Sequence, residues 1–181
     1  MLASARYGAA ARFFLEELYG PADFSRRDAQ FSRIVPALVR LFPAELVHTV
    51  ESLAALHALS EELDSAMAAA LPSPAVDAQT YMRTWRTVGR AADRERQIEL
   101  VVDVGRALDR YTRVPALMMS LRLMRRPAHL AGLSELQVFL ERGFDTFKAM
   151  RGAQEFLETI QERERTMAAR LFAGEASGQL P

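Results

Sequence analysis

Reactive side chains are scarce in this 181-residue chain: it has three histidines and no cysteine. Lack of thiols excludes disulfide scaffolds, thiolate metal sites, iron–sulfur clusters and cysteine nucleophiles. An all-imidazole metal centre would need His48, His57 and His129 together. Glu45-Leu46-Val47-His48 has the E-x-x-H spacing that di-iron carboxylate bundles use in pairs. Neither His57 nor His129 has an acid three positions before it, so the second half of such a site is missing. His57, Glu61 and Asp64 are the best small-ligand candidates. At helical spacing they continue a face begun by Leu46, Val47, Val50, Leu53 and Ala54, where three polar groups could do general acid–base work, supply half a metal site or line a haem or ligand pocket. The plainer account is an apolar face that runs out, with His57 pairing Glu61 at i, i+4. Leu56, Leu59, Leu63 and Met67 mark a second stripe on the same helix.

Two further groups invite chemistry. Glu164 falls among Ile160, Met167 and Leu171 on an apolar helix face, where a buried carboxylate would need an arginine partner. Near a helix end it also has a simple route to water. Arg106, Arg110 and Arg113 form one stripe, and Arg122, Arg125 and Arg126 another, with Asp109 the one acid between them. Guanidinium forks suit phosphates and carboxylates, so these six are the candidate anion site. Their plain reading is a solvated face laced with local ion pairs. Phosphate-loop, dinucleotide-fingerprint, zincin and nucleophile-elbow motifs are absent.

Bulk properties narrow the classes. Half of the residues are hydrophobic, a quarter are charged, and the formal net charge is zero. A neutral chain is a poor nucleic-acid binder. The longest charge-free stretch, Ser65 to Val76, is too short for a span of about 20 apolar residues and holds two prolines. Arg6 and Arg12 break up the N-terminal apolar run, so it does not read as a signal peptide. The expectation is a cytoplasmic protein, away from membranes, with no metal site.

The elements that must position these residues all read as helices, because Ala, Leu, Arg and Glu dominate and no period-2 alternation appears. A first helix over about 3–19 carries Tyr7, Ala11, Phe14 and Leu18 on one face and stops at Gly20-Pro21. Ser25 and Asp28 resemble a capping box for a second helix burying Phe31, Ile34, Val35, Leu38 and Phe42, with Pro36 predicting a kink or break. A long third helix follows over about 44–71, ended by Pro72-Ser73-Pro74. A fourth holds Tyr81, Trp85, Val88 and Ala92; a fifth, over 94–112, turns Ile98, Val101, Gly105 and Leu108 inward. Pro115 starts a short apolar sixth helix that stops before Pro127. Ser134 and Gln137 form the clearest capping box, opening a helix with Leu136, Leu140, Phe144 and Phe147 inward. After Gly152 a last helix carries Ala153, Phe156, Ile160, Met167 and Leu171. The expected architecture is all-α: a single-domain helical bundle of about seven or eight helices over 1–173, with a flexible tail over 174–181. The long third and apolar sixth helices are the expected centre.

Phe13-Phe14-Leu15-Glu16-Glu17-Leu18-Tyr19, with the flanking Gly20 to Ser25 and Arg27 to Phe31, resembles the signature of the FFLEELY motif proteins. The specific likeness covers Arg12 to about Pro43. It implies a bacterial, soluble protein, and it brings no catalytic residues. Physically, the signature reads as Phe14 and Leu18 packing inward while Glu16 and Glu17 face water. The expected function is a non-catalytic module acting through helix surfaces, either as a homo-oligomer or on another protein. The many Met and Phe residues offer adaptable apolar surface, above all on the sixth helix.

Overall fold

Helix starts and stops along this chain follow local chemistry. Asp77 Oδ1 accepts the Thr80 N–H at 2.7 Å and opens a helix, and Gly89, at φ 68°, closes it. Pro115 occupies the first position of another, where its missing N–H costs nothing. The structure is a computed structural model and describes residues 1–17, 24–41, 43–73 and 76–175, with side chains of 37–41 excluded. Among the described residues there are nine helices and no strand. They are α1 (Gly8–Glu17), α2 (Ser25–Leu41), α3 (Ala44–Ala70), α4 (Ala78–Val88), α5 (Ala91–Tyr111), α6 (Pro115–Leu123), α7 (Arg125–Leu130), α8 (Ser134–Ala149) and α9 (Gln154–Ala173). The all-α expectation holds. No helix among them is long and apolar enough to cross a membrane.

The chain groups into two compact units. The first joins Met1–Val50 to Gly105–Phe156; the second joins Glu51–Val104 to Leu157–Pro181.

In the first unit α8 is the central element, packing against α1, α2, α6 and α7. Its core is aromatic. Phe14 sits 5.4 Å from Phe156 and 6.2 Å from Phe147, ring centre to ring centre, and Tyr7 lies 5.8 Å from Phe156. Phe13 stacks on Phe139 at 5.7 Å, and α8 admits it because Gly143 has no side chain there. Polar bonds fix the loop into α9. Arg6 Nε donates to Met150 O at 2.8 Å, and Asp109 Oδ1 accepts the Ala153 N–H at 3.0 Å. In the second unit Leu63, Met67, Leu100, Val102, Leu157 and Leu171 are buried.

Several expectations need correction. Neither α3 nor α6 is central: α3 buries only Leu63 and Met67, and α6 only Met118. Helix α2 continues through Pro36 without a break. Helix α6 does stop before Pro127, at Leu123; Pro127 itself lies in the first turn of a further short helix, α7, where an N–H has no helical acceptor to lose. Ser134 does not cap α8. Its Oγ meets His129 Nδ1 at 3.0 Å, and Gln137 Nε2 donates to Leu121 O at 2.6 Å. Gln30 Oε1, from α2, accepts the Leu136 N–H at 2.9 Å instead, a tertiary cap that no local pattern encodes. Leu140 is exposed, and Leu53 and Ile160 are half-buried. Glu17 does not face water; it pairs with Arg142. Leu18, the Gly20-Pro21 stop, the side chain of Leu38, Phe42, Pro74 and the tail from 176 lie outside the described residues.

Candidate functional site

The second unit holds an ionisable cluster built around one tight turn. Gly89 ends α4 by donating its N–H to Trp85 O at 2.9 Å, at φ 68° and ψ −123°, a conformation that disfavours any side chain. Arg90 follows, also left-handed at φ 61°. A non-glycine residue there is strained, and two ion pairs hold it. Arg90 Nε reaches Asp93 Oδ2 at 2.6 Å, and Nη1 reaches Glu62 Oε1 at 2.7 Å. The turn sets Trp85, one turn before Gly89, against Arg94, one turn after Arg90.

The guanidinium carbon of Arg94 lies 4.0 Å from the centre of the Trp85 ring, and the residue is only 7% exposed. Tyr81 and Phe172 flank the indole at 6.1 and 5.8 Å. Among the described residues Arg94 makes one long hydrogen bond, from Nη1 to Gln97 Oε1 at 3.4 Å; Gln97 Nε2 in turn donates to Ser60 Oγ at 2.8 Å. No carboxylate lies within ion-pair distance of Arg94 among the described residues. The Trp85 Nε1–H is sealed from solvent and has no acceptor among the described residues. The cluster is therefore rich in donors and short of acceptors.

Its electrostatics reflect that imbalance. Burial lowers the pKa of Arg94, with Tyr81 and Asp64 opposing and Arg90 adding to the effect. Burial raises Asp64; Arg94 opposes the rise and Glu61 reinforces it. Tyr81 is raised by burial, against the pull of Arg94 and with the push of Asp64 and Glu164. Glu164 is raised by desolvation alone; it is exposed, in line with its plainer reading, and no arginine pairs with it among the described residues. It keeps an open surface while protein crowds its surroundings, and that open surface limits the size of the effect.

Of the residues singled out in the sequence, Asp64 joins this cluster through the field of Arg94, and Glu61 through Asp64. Both are exposed, as is His57. Among the described residues no ion pair joins His57 to Glu61. Arg94 was the residue to find, and its signal was weak: an arginine at i+4 from another on a polar-looking helix start. Glu45 and His48 are both exposed on α3, and no group of three or more His, Asp or Glu suited to a metal occurs among the described residues.

The six arginines belong to the first unit and are exposed. Arg113, Arg122 and Arg125 are held by carboxylates. Arg113 Nη2 reaches Asp109 Oδ2 at 2.6 Å, Arg122 meets Asp145 at 3.6 Å, and Arg125 grips Glu141 with two nitrogens. Arg125 and Gln137 hold the Glu141 carboxyl below its ordinary range. Arg106, Arg110 and Arg126 complete the exposed set.

The apolar surface lies nearby in sequence. Met119 (66% exposed), Leu123 (73%), Met124 (51%) and Leu130 (79%) all stand open on α6, α7 and their junction. Met119 and Leu123 are four apart and share one face of α6.

A search of the curated proteins and a search of the solved structures both give no match. A family model described as "Domain of unknown function (DUF8198)" matches residues 1–178. With nearly its whole length covered, from the aromatic core of α1 to the end of α9, this chain belongs to that family.

Proposed function

We propose that this chain is a non-catalytic interaction module whose α6–α7 face binds a second copy of itself. The observation that carries this reading is the set Met119, Leu123, Met124 and Leu130, each left more than half exposed, while Leu121 between them is half-buried. Contiguous exposed apolar surface of more than a few hundred Å² marks association sites. Met side chains adapt to a partner at low conformational cost. A net charge of zero puts no long-range repulsion between two copies. A two-fold pairing would set α6 of one copy on α6 of the other, with Arg122, Arg125 and Arg126 at the rim. Within the family we place the chain with the bacterial FFLEELY motif proteins, on Phe13 to Tyr19, and in the cytoplasm.

Sedimentation of the full chain tests this. The expected result is a dimer at micromolar concentration that Leu123→Asp converts to a monomer with unchanged helix content. A monomer up to about 100 μM, or a dimer indifferent to Leu123→Asp and Met119→Asp together, overturns the proposal; −8.2 kcal/mol, the free energy of a 1 μM dissociation constant, is the scale at stake.

A further inference from the structure

We infer that the Arg94–Trp85 cluster of the second unit is a binding site for a small monocarboxylate. A guanidinium carries five N–H donors and an indole one. Here, among the described residues, one of the six is accepted, by Gln97 Oε1 at 3.4 Å. Burying such donors without acceptors is costly, and native proteins resolve the cost with a water, an ion or a ligand. Trp85 Nε1 is sealed, whereas Arg94 keeps 7% of its surface open, and its Nε and Nη2 have no protein acceptor among the described residues. A small anion therefore reaches the guanidinium first. To reach the Trp85 N–H as well, which is sealed, the anion's second oxygen needs Arg94 to shift off the indole face.

The chemistry of the anion follows from its neighbours. A planar carboxylate matches the planar fork of an arginine whose one face is already covered by an indole. Asp64 and Glu164 act on the same cluster through their charges on Tyr81, so every further negative charge on the ligand is penalised. That disfavours a phosphate dianion and favours a single charge. Ser60, through Gln97, fixes the amide that orients Arg94. The site differs from the arginine stripes of the first unit, where Arg113, Arg122 and Arg125 already hold carboxylates.

The test uses the full chain. Trp85 is its only tryptophan, so intrinsic emission reports on this site alone. Sodium acetate is titrated against sodium chloride and sodium phosphate at matched ionic strength, and line broadening of ¹³C-labelled acetate gives a second readout. The expected result is a saturable acetate response with half-saturation of millimolar order, absent with chloride. Arg94→Lys, which keeps the charge and loses the fork, should weaken it at least tenfold. Trp85→Phe, read by acetate line width, should weaken it several-fold, and it keeps the assay usable should the lysine variant unfold. An acetate response equal to that of chloride overturns the proposal. So does tighter binding of phosphate than acetate, or an acetate affinity unchanged in both variants.

Discussion

Arg94 covers the face of Trp85 at 4.0 Å while the indole N–H, in the plane of the same ring, has no acceptor among the described residues. One residue thus supplies a π face to a cation and leaves its own donor unsatisfied. The aliphatic stem of Arg94 also fills space in the second unit, so its packing and its charge are separable. Arg94→Met keeps the length and removes the charge; it should change stability by less than about 1.5 kcal/mol. Arg94→Ala opens a gap and should cost about 2–4 kcal/mol. Urea unfolding followed by circular dichroism measures both, and equal losses would show that the charge, not the stem, matters.

Two glutamates should move stability with pH in opposite senses. Desolvation raises the folded-state pKa of Glu164. Its contribution is therefore fully present below the unfolded value and is lost as pH rises through the folded value. Glu164→Gln should raise the melting temperature at pH 7–8 and make no difference in acid. Glu141 is lowered, chiefly by Arg125. Its contribution is present above the unfolded value and lost as pH falls through the folded one, so Glu141→Gln should lower the melting temperature at pH 7 and converge with the parent chain in acid. Melting curves from pH 3 to 8 decide; the same sign for both variants would refute the assignment.

Asp109 acts as a cap from a distance. Its Oδ1 takes the Ala153 N–H at 3.0 Å just before α9, and its Oδ2 takes Arg113 at 2.6 Å. Asp109→Ala should cost about 1–2 kcal/mol, the usual loss on removing a cap. Arg113→Ala should cost well under 1 kcal/mol, because that arginine is largely exposed. Equal losses in denaturant titrations would contradict this division of roles.

Gly143 is the point where α8 yields to Phe13. A Cβ there would stand 3.2 Å from Phe13 Cζ, and that ring is already stacked on Phe139. Gly143→Ala gains about 1 kcal/mol of helix propensity against about 1–3 kcal/mol for overpacking. The expected net effect is a small loss of stability, relieved by a companion Phe13→Leu. A stabilised single variant would mean that the ring moves aside freely.

Strain at the α4–α5 turn sets up the cluster. Gly89→Ala places a side chain at φ 68° with ψ −123° and should cost about 1–3 kcal/mol. Arg90→Gly relieves the left-handed residue but removes the bonds to Glu62 and Asp93. Emission from Trp85 reports whether the indole leaves its place in either variant.

Periodicity alone determined much of this protein. Apolar residues at helical spacing, with Gly and Pro at the breaks, determine an all-α chain, and α3 runs from Ala44 to Ala70 much as its pattern requires. Phe144, Phe147 and Phe156 are buried as their stripes demand. The absence of cysteine settles what the chemistry is not. Only the tertiary structure decided which helix is central, because amphipathicity tells a helix which side to bury and not against whom. It also decided that Gln30, not Ser134, serves the start of α8, and that Asp64 and Arg94 act on one another while His57 stays exposed. Those relations join residues about 30 to 100 positions apart. They depend on donors and acceptors meeting across helices, which no spacing along one helix can encode.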